Sequence, residues 1–279
     1  VFRLPVTNRP SESRGRLRLA GLLVLVATVA AGLLAGSQTA GARSAKVIGA
    51  TKALPKPSCP LPKKPQKRDR VIPSYKECNA FGHVTGFQLR TAKQRAVSKV
   101  KSDGHIVAWS VETSKPRSDP PKGVADERAF FEENLADQTF GRYGGRPVAN
   151  IAVLKKVRKG RFKLVKQSPI VELDRTLGET PIFTLRKPIR VRKDRIIALT
   201  TPTWVTNFAL ARPSGNAPLS SSNTWRASRK PDRCEGEKNL TKLSKPHVKK
   251  GSKRRYGCIY KGAEILYWAY VVPIEKKKK

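Results

Sequence analysis

Four cysteines, three scattered histidines and repeated clusters of lysine and arginine are the side chains in this 279-residue sequence whose types and spacing could do chemistry. Cys59, Cys78, Cys234 and Cys258 form an even set. Outside the reducing cytoplasm such a set forms disulfides, and four cysteines allow three pairings. Spacing favours Cys59 with Cys78 and Cys234 with Cys258, which close the shortest loops. Each bond would restrict the unfolded chain by roughly 3 kcal/mol in loop-entropy terms. A structural zinc site is the competing chemistry, and it needs ligands in close pairs. The sequence has no C-x-x-C, and His83, His105 and His247 stand far apart. The reading is two local disulfides, no metal and no cofactor.

Lysine and arginine number 58 against 20 acidic residues, a net charge of +38. The basic residues gather in runs: Lys155, Lys156, Arg158, Lys159, Arg161 and Lys163; residues 186–195; residues 249–255; and Lys276 to Lys279. Any one run could be a solvated outer face, as where Arg190 and Arg192 alternate with Ile189 and Val191. The collective excess of one sign goes beyond what solubility needs and points to an anionic partner. Two segments are candidate polyanion sites. Lys249, Lys250, Lys253, Arg254 and Arg255 are close together inside the loop that Cys234 and Cys258 would close. Trp225, Arg226 and Arg229 set an indole beside two guanidiniums, an arrangement able to stack a base or sugar ring next to a phosphate or carboxylate. Trp109, Trp204, Trp268, Tyr256, Tyr260 and Tyr267 read as packing residues.

Catalytic motifs are lacking: there is no H-E-x-x-H, no G-x-S-x-G and no P-loop, and the glycines at 141, 144 and 145 lack a strand and helix to frame them. Tyr260-Lys261-Gly262-Ala263 is faintly similar to the Tyr-x-Lys-Ala-Gly strand of alginate lyases, jelly-roll enzymes that work in a basic cleft. The residue order differs and the matching Gln-x-His strand is missing. No catalytic residue is assigned. The leading expectation is a non-catalytic binder of anionic cell-envelope or extracellular polymers. An extracellular nucleic-acid binder comes second, and a polysaccharide lyase acting on acidic polymers third.

The elements that must position these residues read as short strands. Phe87 and Leu89 alternate with polar neighbours, and Val107, Trp109 and Val111 share one face of the next run. Ile151 to Leu154 is continuously apolar. Lys159-Gly160 then turns into Arg161-Phe162-Lys163-Leu164, a hairpin pattern. Runs at 170–173, 182–185, 189–191 and 196–199 follow at spacings of about ten residues, the rhythm of a sandwich or barrel. Asp126 to Asp137 is the one helical pattern, with Asp126 as N-cap. Residues 264–272 are apolar on both faces and belong in the middle of a covered sheet. The predicted fold is an all-β antiparallel sandwich of jelly-roll type with one short helical insertion.

The amino-terminal 42 residues fix the compartment. Arg9, Arg14, Arg16 and Arg18 precede an apolar run from Leu19 to Gly36, and Ala40-Gly41-Ala42 makes a small-residue cleavage pattern, together a secretory signal. The competing reading is a retained anchor, which would bring the membrane in as a partner. Removal takes away Glu12 and five arginines at 3, 9, 14, 16 and 18, lowering the net charge from +38 to +34. Residues 43–77 read as a Pro/Lys-rich linker, 78–274 as the β-sandwich and 275–279 as a basic tail. Cys59 leading to Phe87, Phe130-Phe131 running into Ala149 to Leu154, Ile196 to Trp204, and Trp225 to Arg229 with Tyr256-Gly-Cys258 together resemble a group of secreted β-sandwich proteins of high-GC actinobacteria. No activity is assigned to that group. The resemblance implies fold and a secreted or cell-envelope location only.

Overall fold

A computed structural model of the protein describes residues 44–49, 55–59, 79–91, 94–119, 126–136, 138–210, 222–234 and 245–274, all within the unit Arg43–Lys279. The expected export signal, most of the Pro/Lys-rich segment, Cys78 and the basic tail lie outside these residues. The strands are β1 (Lys46–Ile48), β2 (Phe81–Arg90), β3 (Gly104–Val111), β4 (Val148–Arg158), β5 (Arg161–Gln167), β6 (Val171–Glu172) and β7 (Ile182–Val191). They continue as β8 (Ile196–Val205), β9 (Phe208–Leu210), β10 (Thr224–Ala227), β11 (Lys253–Arg255), β12 (Cys258–Lys261), β13 (Ala263–Ile265) and β14 (Tyr267–Pro273). One α-helix, α1 (Glu127–Asn134), lies between β3 and β4. Its N-cap is Asp126, whose carboxylate accepts from the Ala129 N–H at 2.7 Å.

Every strand pairing is antiparallel. A four-stranded sheet runs β1-β14-β3-β7 and an eight-stranded one β11-β5-β4-β8-β2-β10-β12 with β6 beside β4, while β13 pairs with β9. The mostly-β, antiparallel, one-helix reading of the sequence is thus what the described residues adopt.

Both faces of the larger sheet are apolar along β4 and β8, which explains their unbroken hydrophobic runs. Ile151, Val153, Ile197 and Leu199 face the four-stranded sheet in one core with Trp109, Tyr267 and Val271. Ala152, Leu154 and Ala198 face the other way, into a second cluster with Phe87, Phe162, Leu164 and Tyr256. This second cluster has an interior because the sheet curls. Its two edge strands, β11 and β12, are separated in the chain by Tyr256 and Gly257 alone, so Arg255 and Cys258 lie within about 11 Å of each other. The result is a half-barrel whose seam is bridged by backbone bonds: Tyr256 N–H to the Gly160 carbonyl and Gly257 N–H to the Arg229 carbonyl, both 2.7 Å.

Four local features differ from the sequence pattern. Lys46–Ile48, inside the segment read as linker, adds β1 to the edge of β14. Val107 does not share the buried face of Trp109 and Val111, because a register shift between Ile106 and Ala108 makes it a bulge and Ile106 takes the core position. The runs at 182–185 and 189–191 are one edge strand, β7, where Pro188 removes no ladder bond from a central strand. The apolar run 264–272 splits at Leu266 between the β13–β9 pair and the four-stranded sheet; β14 lies inside that sheet as expected, but only its Tyr267, Ala269 and Val271 face is fully buried, and Tyr270 and Val272 on the other are half-buried.

Candidate polyanion-binding cleft

β4 outlasts the sandwich. Residues 148–154 are buried, and from Lys155 to Arg158 the strand is exposed. The β4–β5 hairpin therefore projects beyond the core and carries the basic run into solvent. Gly160, with φ at +68°, supplies the left-handed residue of its two-residue turn. β11 then adds to the free edge of β5.

Register turns these three strands into a ladder of like charges. Lys155 pairs with Lys163 and Lys163 with Lys253, while Arg158 pairs with Arg161 and Arg161 with Arg255. A register shift between Lys156 and Arg158 brings Arg158 onto the face of Lys155 although three positions separate them. Adjacent members of a row are about 4.8 Å apart and the two rows about 7 Å, from ordinary sheet spacings. Phe162 and Leu164 point to the opposite side, into the half-barrel. Among the described residues none of the six cations forms an ion pair; the carboxylates instead serve Arg128, Arg146, Lys99, Arg117 and Arg233. Among the same residues Arg161 Nε is buried with no hydrogen-bond partner.

The arginine row forms one wall of a cleft of about 950 Å³ at the barrel seam. Lys159, Lys253 and Arg254 extend this wall, and Lys245 with Arg229, Lys230 and Arg233 of residues 228–233 make the other. Among the described residues Asp232 is the one acid of the lining, and its carboxylate lies 3.9 Å from the Arg233 guanidinium. The disulfide Cys234–Cys258, with Cα atoms 5.2 Å apart, fastens the end of the second wall to β12, as expected from spacing. Gly257 allows the close approach, since a Cβ there would sit 2.5 Å from the Pro231 ring.

The candidate residues are distributed unevenly over this site. Arg229, Lys253, Arg254 and Arg255 line the cleft. Lys249 and Lys250 are exposed in the turn before β11, outside the lining. Arg254, a polyanion-site candidate from the sequence, is half-buried opposite Phe162 and donates to the carbonyls of Lys245 and, at 2.8 Å, Pro246; burial lowers its pKa. Arg229 is buried and donates to the Tyr260 hydroxyl at 2.7 Å, which in turn donates to the Cys234 carbonyl at 2.9 Å.

Trp225 does not stack a ligand. It is 5% exposed, lies parallel to Tyr260 at 4.5 Å and packs on Phe81 and Phe208, because the pairing of β10 with β12 turns it into the main core. Arg226 takes the opposite face of β10, between Phe87 and Ile259, half-buried and away from the cleft; burial lowers its pKa. Tyr260 is held by Arg229 and the Cys234 carbonyl, and His83, His105 and His247 stay apart. Among the described residues no three metal-ligating side chains converge.

Beside the cleft, the backbone N–H of His247 donates to Thr85 at 2.8 Å. The ring is buried, with Nε2 donating to the Ser252 carbonyl at 3.1 Å and Nδ1 accepting from the Tyr256 hydroxyl at 3.1 Å. Burial, and then the Arg254 charge, push its pKa down to about 4. It is a neutral strut that holds the 245–256 segment against the sheet.

Arg158, Lys159, Arg161, Lys230, Arg233 and Lys245 were not singled out as site residues from sequence. The basic hairpin Lys155 to Lys163 was the available signal, and only the addition of β11 to β5 makes it a site. No protein-family model, curated protein or solved structure matches the chain.

Proposed function

We propose that the protein is an exported, non-catalytic β-sandwich of jelly-roll type that binds anionic cell-envelope or extracellular polymers through the cleft and the cation ladder beside it. The observation that carries the reading is the set of three arginines, from β4, β5 and β11, that line one wall with no carboxylate partner among the described residues. Like charges held directly opposite across a sheet repel one another, an arrangement that an anionic ligand relieves. The Cys234–Cys258 disulfide supports export to an oxidising compartment. Among the described residues no helix is long and apolar enough to cross a membrane.

Titrating binding to a glycerol-phosphate polymer, a uronate polymer and duplex DNA over a range of salt tests the reading. Binding to the envelope-type polymers should persist at physiological salt, where purely diffuse attraction to DNA has weakened steeply. Tighter binding to DNA than to either polymer at that salt would favour the nucleic-acid reading instead.

A further inference from the structure

We infer that the row Arg158–Arg161–Arg255 is a receptor for a tetrahedral oxyanion, so that the cleft selects polymers bearing phosphoryl or sulfuryl groups over polymers bearing only carboxylates. The inference rests on the reading of the cleft as a polyanion site and adds the chemical class of the anion.

The first ground is geometric. Three arginines stand in backbone register on three neighbouring strands, which are about 4.8 Å apart. A carboxylate offers two oxygens in one plane, and one arginine fork engages both of them side on. Further guanidiniums must share those two oxygens through their outer lone pairs, in nearly the same plane. A phosphoryl or sulfuryl group is tetrahedral: beyond the two oxygens that one fork can take it has ester oxygens and, in a sulfate monoester, a third terminal oxygen outside that plane, so forks on neighbouring strands can approach it from different directions. Arginine is also the side chain whose fixed fork matches such groups.

The second ground is the state of the central residue. Arg161 flanks both of the others, and its Nε is buried with no hydrogen-bond partner among the described residues. A charged donor shut off from water and left unpaired is unfavourable in the free protein. An anion seated on the row would compensate that charge through the part of the guanidinium that lines the cleft. One step along the strands, Lys155, Lys163 and Lys253 form the parallel row. Ammonium groups act as point charges with little demand on geometry, suited to the less defined charges further along a polymer. The arginine row thus reads the anion's shape, and the lysine row adds affinity.

The test exchanges shape for charge. The variant Arg158→Lys/Arg161→Lys/Arg255→Lys keeps every positive charge and removes all three forks. Calorimetry at about 0.15 M salt measures wild type and variant against a glycerol-phosphate polymer, heparin and polygalacturonate. The variant should lose about tenfold or more in affinity for the phosphate polymer, while polygalacturonate changes by less than about twofold. A parallel loss for heparin assigns the row to tetrahedral oxyanions of either element, and an unchanged heparin affinity assigns it to phosphate. Equal losses for all three polymers, or no loss for any, overturn the inference and leave the polyanion reading standing. Failure of the wild-type protein to bind any of them overturns both. Should the triple variant not fold, Arg161→Lys alone gives the same comparison, since Arg161 sits between the other two.

Discussion

His247 shows how a single buried side chain ties the stability of this fold to pH. Its ring is neutral in the folded protein because burial lowers its pKa to about 4 from 6.5. In the unfolded chain the imidazole takes a proton below pH 6.5, so the unfolded state binds more protons between pH 6.5 and 4. Stability should be unaffected by this group above pH 6.5 and fall as pH drops through that window, by up to about 1.4 kcal/mol per pH unit. Urea unfolding of wild type and His247→Gln at pH 7 and 4.5 checks this. The variant should lose less stability on acidification, and equal losses would mean that the imidazole titrates normally inside the fold. Arg254 makes the complementary point about charge. Its hydrogen bonds to the carbonyls of Lys245 and Pro246 are internal, so Arg254→Ala should cost roughly 1.5–3 kcal/mol. Lys253→Ala should instead be neutral or stabilising at low salt, because Lys253 stands directly opposite Lys163. Thermal melts at two salt concentrations distinguish the two residues, and a destabilised Lys253→Ala would contradict the like-charge ladder.

At the scale of elements, the site depends on strands that are remote in sequence being held at one seam. β11 and β12 are the two edges of the same curled sheet, yet only Tyr256 and Gly257 separate them in the chain. The Cys234–Cys258 disulfide closes a loop of 24 residues' separation around this seam. Removing it with Cys234→Ser/Cys258→Ser should lower stability by about 3–4 kcal/mol in loop-entropy terms. It should also weaken polyanion binding at temperatures where the variant remains folded, because the wall carrying Lys230 and Arg233 loses its anchor. Chemical denaturation and calorimetry on the same preparation measure the two effects. A variant that lost stability but kept full affinity would mean that the hairpin wall binds alone. The hairpin itself is independent of the disulfide: its Phe162 and Leu164 are packed in the second cluster, leaving Arg161 and Lys163 on the outer face.

For the whole molecule the question is whether arrangement or total charge governs binding. Replacing Arg158, Arg161, Lys253 and Arg255 by Ser removes four charges, and so does truncating Lys276 to Lys279. If the cleft is the site, the first change should reduce the salt dependence of nucleic-acid binding by nearly one unit of log–log slope per residue and weaken polymer binding strongly. The truncation should do much less, as read from affinity at three salt concentrations, and equal effects would show that only total charge matters. The amino-acid sequence by itself determined the charge, the antiparallel β character, the Asp126-capped helix, the Lys159-Gly160 hairpin and the Cys234–Cys258 pair. All of these rest on local periodicity, short-range turn chemistry or short loop closure. What the tertiary structure decided was which basic run matters and which side chains are free. Trp225 and Arg229 look like a ligand platform in sequence, yet the pairing of β10 with β12 buries the indole and ties the guanidinium to Tyr260. Arg161 and Arg255 are 94 positions apart and become neighbours only through the β5–β11 register. Strand pairing between distant segments is set by the shared burial of two clusters on opposite faces of one curled sheet. That is a property of the assembled core, which no window of sequence contains.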